Sequence, residues 1–161
     1  MSHTPGEQNK LKDITEVDFE VRRILLATDG SAPAIMATKY AIALAKTFSA
    51  SLKIVFADPG EEPLDYSDKI VILDERKETR PNTAGLTIAQ IYADKNKISY
   101  SVEIVKGNVV KAIVRAAQDY EADLIIIGNT GRTGLKRLTL GSVTEGVVKN
   151  SPIPVLVIKA V

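Results

Sequence analysis

The chain has no cysteine and no tryptophan, one histidine, and aromatic residues at only 5% of its 161 positions. Each shortage removes a class of chemistry. Without cysteine there are no disulfides and no thiolate metal sites, which agrees with a reducing, cytoplasmic setting. The one histidine, His3, lies in a polar stretch, so a His-based catalytic triad or a histidine metal cluster has no material. Scarce aromatics leave little to wall a flavin, which speaks against a flavodoxin-like electron carrier. An excess of charge of one sign is missing too: the formal net charge is +1, so no broad field draws the chain to nucleic acid or to an anionic membrane. No apolar run is long enough to span a bilayer, and the opening MSHTPGEQNKLKDITEVDFE lacks the apolar core of a signal peptide.

What is present is a globular composition, 45% hydrophobic and 25% charged, at a length that suits one domain with a sizeable core. Residues 1–18 read as a polar N-terminal extension and 19–161 as a single domain.

The stretch around which the rest is organised is ADLIIIGNTGRTGLKRLTLGSVTEGVVK, residues 122–149. Its apolar run Leu124-Ile125-Ile126-Ile127 has the length and β-branched content of a strand buried on both faces. Gly128, Gly131 and Gly134 follow, then Arg132, Lys136 and Arg137 in a basic segment, then Gly141-Ser142. Ser142 and Glu145 stand in the capping-box spacing, predicting a helix with Ser142 as its cap. The first N–H groups of such a helix lack partners and carry the positive end of its dipole, so an anion is welcome there. Glycines at 128, 131 and 141 remove side chains where phosphates would approach the backbone, and the three basic residues can add charge, although a charged loop residue is as readily only solvated. The chemistry indicated is polyphosphate binding.

The rest of the chain alternates strands with helices. Val21 to Thr28 is the first strand, ended by Asp29-Gly30-Ser31, with Ser31 as cap and Pro33 in the first turn of a helix reaching about Thr47. Leu52 to Ala57 is a second buried strand, closed by Asp58-Pro59. Strand, helix and strand in this order form a βαβ unit with a right-handed crossover. Residues 60–80, with the isolated run Ile70-Val71-Ile72-Leu73, read equally as helix, strand or hydrophobic plug. Pro81 to about Lys95 is a helix weakened by Gly85. The segment from Tyr100 to Val105 alternates as an edge strand does, Asn108 caps a helix with Val110, Ile113, Val114, Ala117 and Tyr120 as its core stripe, and Ile153 to Lys159 is the last strand. This is the doubly wound α/β pattern.

The spacing Gly128-x2-Gly131-x9-Gly141-Ser142, between a buried strand and a helix, resembles the universal stress protein family, and specifically the ATP-binding branch with the fingerprint Gly-x2-Gly-x9-Gly-Ser/Thr. Thr28-Asp29-Gly30-Ser31, Asp58-Pro59, Ala122-Asp123-Leu124 and the closing Ser151-Pro152-Ile153-Pro154 resemble the same family, so the likeness runs from Arg22 to Lys159. Asn129-Thr130 departs from it, in a place that often holds Ser-His.

The resemblance implies a Rossmann-like five-stranded parallel sheet in the order 3-2-1-4-5 with helices on both faces. It also implies ATP, or AMP or ADP, at the crevice between the first and fourth strands, with Mg2+ or Mn2+ on the phosphates. Ala27, Thr28 and Phe56 match positions that line the adenine pocket, Phe56 reading equally as core filling. Asp29 would hold the ribose hydroxyls or face the metal indirectly, or serve only as a turn aspartate. Ile127 and Gly128 would border ribose and phosphates, while Gly131, Arg132, Gly141, Ser142, Val143 and Thr144 would wrap the phosphate chain. A homodimer paired through residues 153–159 is implied as well, as is a nucleotide-dependent role toward a protein partner in the stress response. A slow or partner-activated ATPase at the same site is the alternative. Asp29 is the one acid the fingerprint brings near the nucleotide, and no Gly-x4-Gly-Lys-Ser/Thr loop is present, so fast intrinsic hydrolysis is not expected.

Overall fold

A computed structural model describes residues 14–59, 83–130 and 140–160. The elements are β1 (Arg23–Ala27), α1 (Ala32–Phe48), β2 (Ser51–Asp58), α2 (Ala84–Lys95), β3 (Tyr100–Lys106), α3 (Val109–Asp119), β4 (Leu124–Gly128), α4 (Ser142–Asn150) and β5 (Val155–Ile158). The strands form one sheet in the order β3-β2-β1-β4-β5, parallel at every pairing. This is the Rossmann-like α/β fold that the strand and helix pattern predicts.

Helices on both faces explain why the central strands read as unbroken apolar runs rather than as alternation. Ile24, Leu26, Ile54, Phe56 and Ile126 pack on one face beneath α1 and α2, which contribute Ala37, Ala41, Ala45, Leu86 and Ala89. Leu25, Ala27, Val55, Ala57, Ile125 and Ile127 pack on the other beneath α3 and α4, with Ile113, Ala117 and Val147. Ala34, Ala37, Ala41 and Ala45 of α1 are almost fully buried and let that helix lie close to the sheet. Full burial of a side chain such as Leu26 or Ile126 contributes roughly 1.5–3 kcal/mol, so these two layers are the main stabilising term.

Local chemistry sets the element ends. The Ser31 hydroxyl accepts the Ala34 N–H at 3.3 Å, and Asn108 Oδ1 accepts that of Lys111 at 3.0 Å, both as the cap spacing predicts. At the entrance to β4, Asp123 accepts the N–H groups of Arg22 (2.8 Å) and Arg23 (3.0 Å), which ties the start of β1 to that of β4. β3 is an edge strand, with Val102 and Ile104 exposed and Glu103 held by Lys53 at 2.7 Å.

Three boundaries differ from expectation. The cap of α4 is Gly141, in extended conformation and with no side-chain cap bond, so Ser142 is the first helical residue rather than the cap. Glu145 consequently has no hydroxyl to answer and pairs with Lys149 at 2.9 Å instead. β1 begins at Arg23 and β5 is only Val155–Ile158, because the flanking residues extend past the neighbouring strands. The run 70–73 lies outside the described residues.

Candidate functional site

In the order β3-β2-β1-β4-β5, β1 and β4 are neighbours whose following helices go to opposite faces, α1 on one side and α4 on the other. A crevice opens beyond their carboxyl ends, the place where open α/β sheets take ligands.

On the β1 side the chain turns sharply. Ala27 and Thr28 are buried, and the Thr28 N–H donates to Val55 O at 2.9 Å, extending the sheet by one bond. Gly30 has φ 76°, a left-handed conformation that glycine adopts without strain. Asp29 Oδ1 accepts the Ser31 N–H at 2.9 Å, so the turn-aspartate role is realised in the structure.

On the β4 side, Ile127 is buried on the α3/α4 face, and Gly128 and Asn129 continue the strand direction. A Cβ on Gly128 would come within 2.8 Å of the Pro33 carbonyl carbon and Cβ. The absent side chain at this glycine makes room for the first turn of α1. Asn129, 3% exposed, joins two elements: its N–H donates to Ile158 O and its carbonyl accepts the Gly141 N–H, each at 2.8 Å. Thr144, buried, donates from Oγ1 to Gly128 O at 2.7 Å, pinning α4 to the end of β4.

Ser142 is exposed and Val143 half-buried at the start of α4. They border a cleft of about 450 Å³ with Pro59 after β2 and with Gly107, Asn108, Val109 and Val110 at the start of α3. The amino ends of two helices thus open on one concavity whose walls mix polar groups, Asn108 and Ser142 among them, with the side chains of Pro59, Val109, Val110 and Val143. Of the two, α3 has its side-chain cap in Asn108 and α4 has none. The fit to a phosphate-bearing ligand rests on this: donors without a side-chain acceptor beside a cleft within the ~300–1,000 Å³ range of ligand sites.

Ala27, Thr28, Asp29, Ile127, Gly128, Gly141, Ser142, Val143 and Thr144 therefore stand at the carboxyl ends of β1 and β4 and the start of α4. Phe56 does not share the side of the sheet that Ala27 and Ile127 face. It is 4% exposed in the core beneath α1 and α2, and Ala57 is the β2 residue facing the same side as Ala27 and Ile127. Gly131 and Arg132, with Lys136 and Arg137, lie outside the described residues. Pro59, Gly107, Val109 and Val110 line the cleft unanticipated, since only the fold brings the ends of β2 and β3 beside α4. Among the described residues no group of three or more His, Cys, Asp or Glu could hold a metal ion. No helix among them is long and apolar enough to cross a membrane.

The sequence profile of the Universal stress protein family matches residues 20–159. The chain belongs to the universal stress protein family. A universal stress protein of Methanocaldococcus jannaschii is 33% identical over 146 residues, covering 86% of this chain and 82% of its own. One from Thermus aquaticus is 33% identical over 139 residues, covering 86% and 98%. Among solved structures, the universal stress protein UspA of Lactobacillus plantarum superposes with a TM-score of 0.67 at 26% identity, covering 88% of this chain and 100% of its own. A universal stress protein solved in complex with cAMP superposes with a TM-score of 0.64, at 26% identity and 88% and 98% coverage.

Proposed function

We propose that this universal stress protein binds ATP in the crevice between β1 and β4, and that occupancy governs a conformation or partner contact in the stress response. The observation that carries the reading is the start of α4. Its helix dipole and backbone donors meet the crevice without a side-chain cap, while Asn129 and Thr144 hold the helix rigidly to β4. The complete glycine fingerprint and the cAMP complex of a relative support an adenine nucleotide as the ligand class. In this assignment Ser142 and Val143 present backbone N–H groups to phosphate, with the Ser142 hydroxyl as a further donor, and Gly141, its own N–H held by Asn129, leaves the approach open. Asp29 offers its carboxylate to the ribose, and Ala27 and Thr28 line the adenine pocket. Gly131 and Arg132 complete the phosphate contacts. Any Mg2+ or Mn2+ would be held chiefly by the phosphates, given the lack of a carboxylate cluster among the described residues.

Hydrolysis is slow in this reading, because Asp29 is the one acid that the fingerprint brings to the nucleotide and it is engaged in its own turn. The chain acts as a homodimer paired through the edge strand β5. Mass spectrometry of nucleotide released from the denatured protein, with calorimetric titration of ATP, ADP, AMP and cAMP, tests the ligand. ATP affinity unchanged in the Gly131→Val, Gly141→Val double variant would sink the reading, and turnover at the rate of a dedicated ATPase would sink its regulatory half.

A further inference from the structure

Gly85 lies in the first turn of α2, where alanine would ordinarily make the better helix. What stands opposite it explains the choice. A Cβ at this position would lie 2.6 Å from the Gly30 nitrogen, 2.8 Å from Thr28 Oγ1 and 2.9 Å from Gly30 Cα. The helix therefore rests on the turn after β1 with no side chain of its own at the contact. Leu86, Ala89 and Ala93 anchor α2 in the core, so it has little room to retreat. The turn has little slack either. Thr28 Oγ1 accepts the Gly30 N–H at 3.3 Å, Asp29 Oδ1 accepts the Ser31 N–H at 2.9 Å, and Gly30 is already left-handed at φ 76°. A displacement imposed at Gly30 passes through one peptide unit to Asp29.

We propose that Gly85 is a positioning residue for the nucleotide site: the contact of the bare α2 backbone with the Gly30 backbone and the Thr28 hydroxyl fixes the direction in which Asp29 presents its carboxylate to the ribose hydroxyls. The inference rests on the reading of the crevice as an adenine-nucleotide site with Asp29 at the ribose. It adds an element from the opposite face of the sheet from α4, so that ribose recognition depends on α2 as well as on the strand ends.

The test is calorimetric titration of the full chain with ATP and with 2′,3′-dideoxy-ATP, for wild type, Gly85→Ala, Thr28→Val and Thr87→Ala. Wild type should prefer ATP by about tenfold, the scale of a hydrogen bond to a charged group. Gly85→Ala should bring that preference to within about twofold by weakening ATP and not the dideoxy analogue. Thr28→Val keeps the side-chain volume, removes the oxygen that holds Gly30, and should narrow the ratio of the two affinities to the same extent if Gly85→Ala fails to fold, since any change at the adenine pocket acts on both ligands alike. Thr87→Ala, on the same helix but exposed, should keep the wild-type ratio. A preserved ratio in Gly85→Ala, or in Thr28→Val where the former is unfolded, overturns the inference while leaving ATP binding intact. Wild type that fails to separate the two ligands overturns the ribose assignment and the inference with it, and wild type that binds neither overturns the function itself.

Discussion

Gly128 shows how one position serves two demands. Its carbonyl receives the Thr144 hydroxyl, and the space where its side chain would stand holds Pro33. Gly128→Ala must push a methyl group into backbone at 2.8 Å, which costs roughly 1–3 kcal/mol by overpacking. A urea melt should show the loss as a lower midpoint at unchanged slope. Thr144→Val keeps the shape, leaves the Gly128 carbonyl unanswered in a buried setting, and should destabilise by roughly 1–3 kcal/mol in the same assay. Neither role was legible in the sequence, where Gly128 reads as a phosphate-approach glycine and Thr144 as a ligand contact. Both depend on Pro33 and Gly128 meeting across a distance in sequence that no local pattern encodes. The caps Ser31 and Asn108 were legible because a cap and its N–H lie within one turn. Gly141 displaced Ser142 as cap because extended backbone at the preceding residue decides where the helix begins.

At the scale of elements, α3 and α4 pack through Gly146, whose added Cβ would stand 2.7 Å from Val110 Cγ2. Valine is stiff about χ1, so the methyl cannot swing clear at little cost. Gly146→Ala alone should lose stability despite its better helix propensity. Combined with Val110→Ala it should do better than the sum of the single changes by about 1 kcal/mol, read from a double-mutant cycle in urea. The same helix carries a pH-sensitive pair. The Lys149 ammonium, by hydrogen bond and by charge, holds the Glu145 carboxyl below its ordinary 4.5. A carboxyl lowered on folding adds stability that is present above 4.5 and lost as the pH falls through its lowered value. The difference in urea midpoint between wild type and Glu145→Gln should stay constant above that pH and shrink below it.

For the molecule as a whole, periodicity and turn chemistry were enough to identify alternating strands and helices, since burial on both faces writes itself into runs such as Ile24-Leu25-Leu26. The order of the strands was legible only through family likeness, because nothing in the composition of β4 says that it lies beside β1. The cleft was largely illegible for a related reason: Pro59, Val109 and Ser142 come from three separate connections. β5 is a four-residue edge beside β4, with Val157 half-buried. On the proposed pairing through this edge, Val157→Lys should convert dimer to monomer in sedimentation velocity, with the far-ultraviolet dichroism unchanged.

Because every strand runs the same way, the backbone comes into the sheet at Arg23 from one pole and leaves it at Ile158 from the other. Any affinity handle or fluorophore fused downstream of β5 would therefore emerge at the pole of the proposed nucleotide crevice, beside Asn129. The same cargo placed upstream of β1 would start about 17 Å away, the length of a five-residue strand. Assays of ligand affinity should carry their labels on the upstream side.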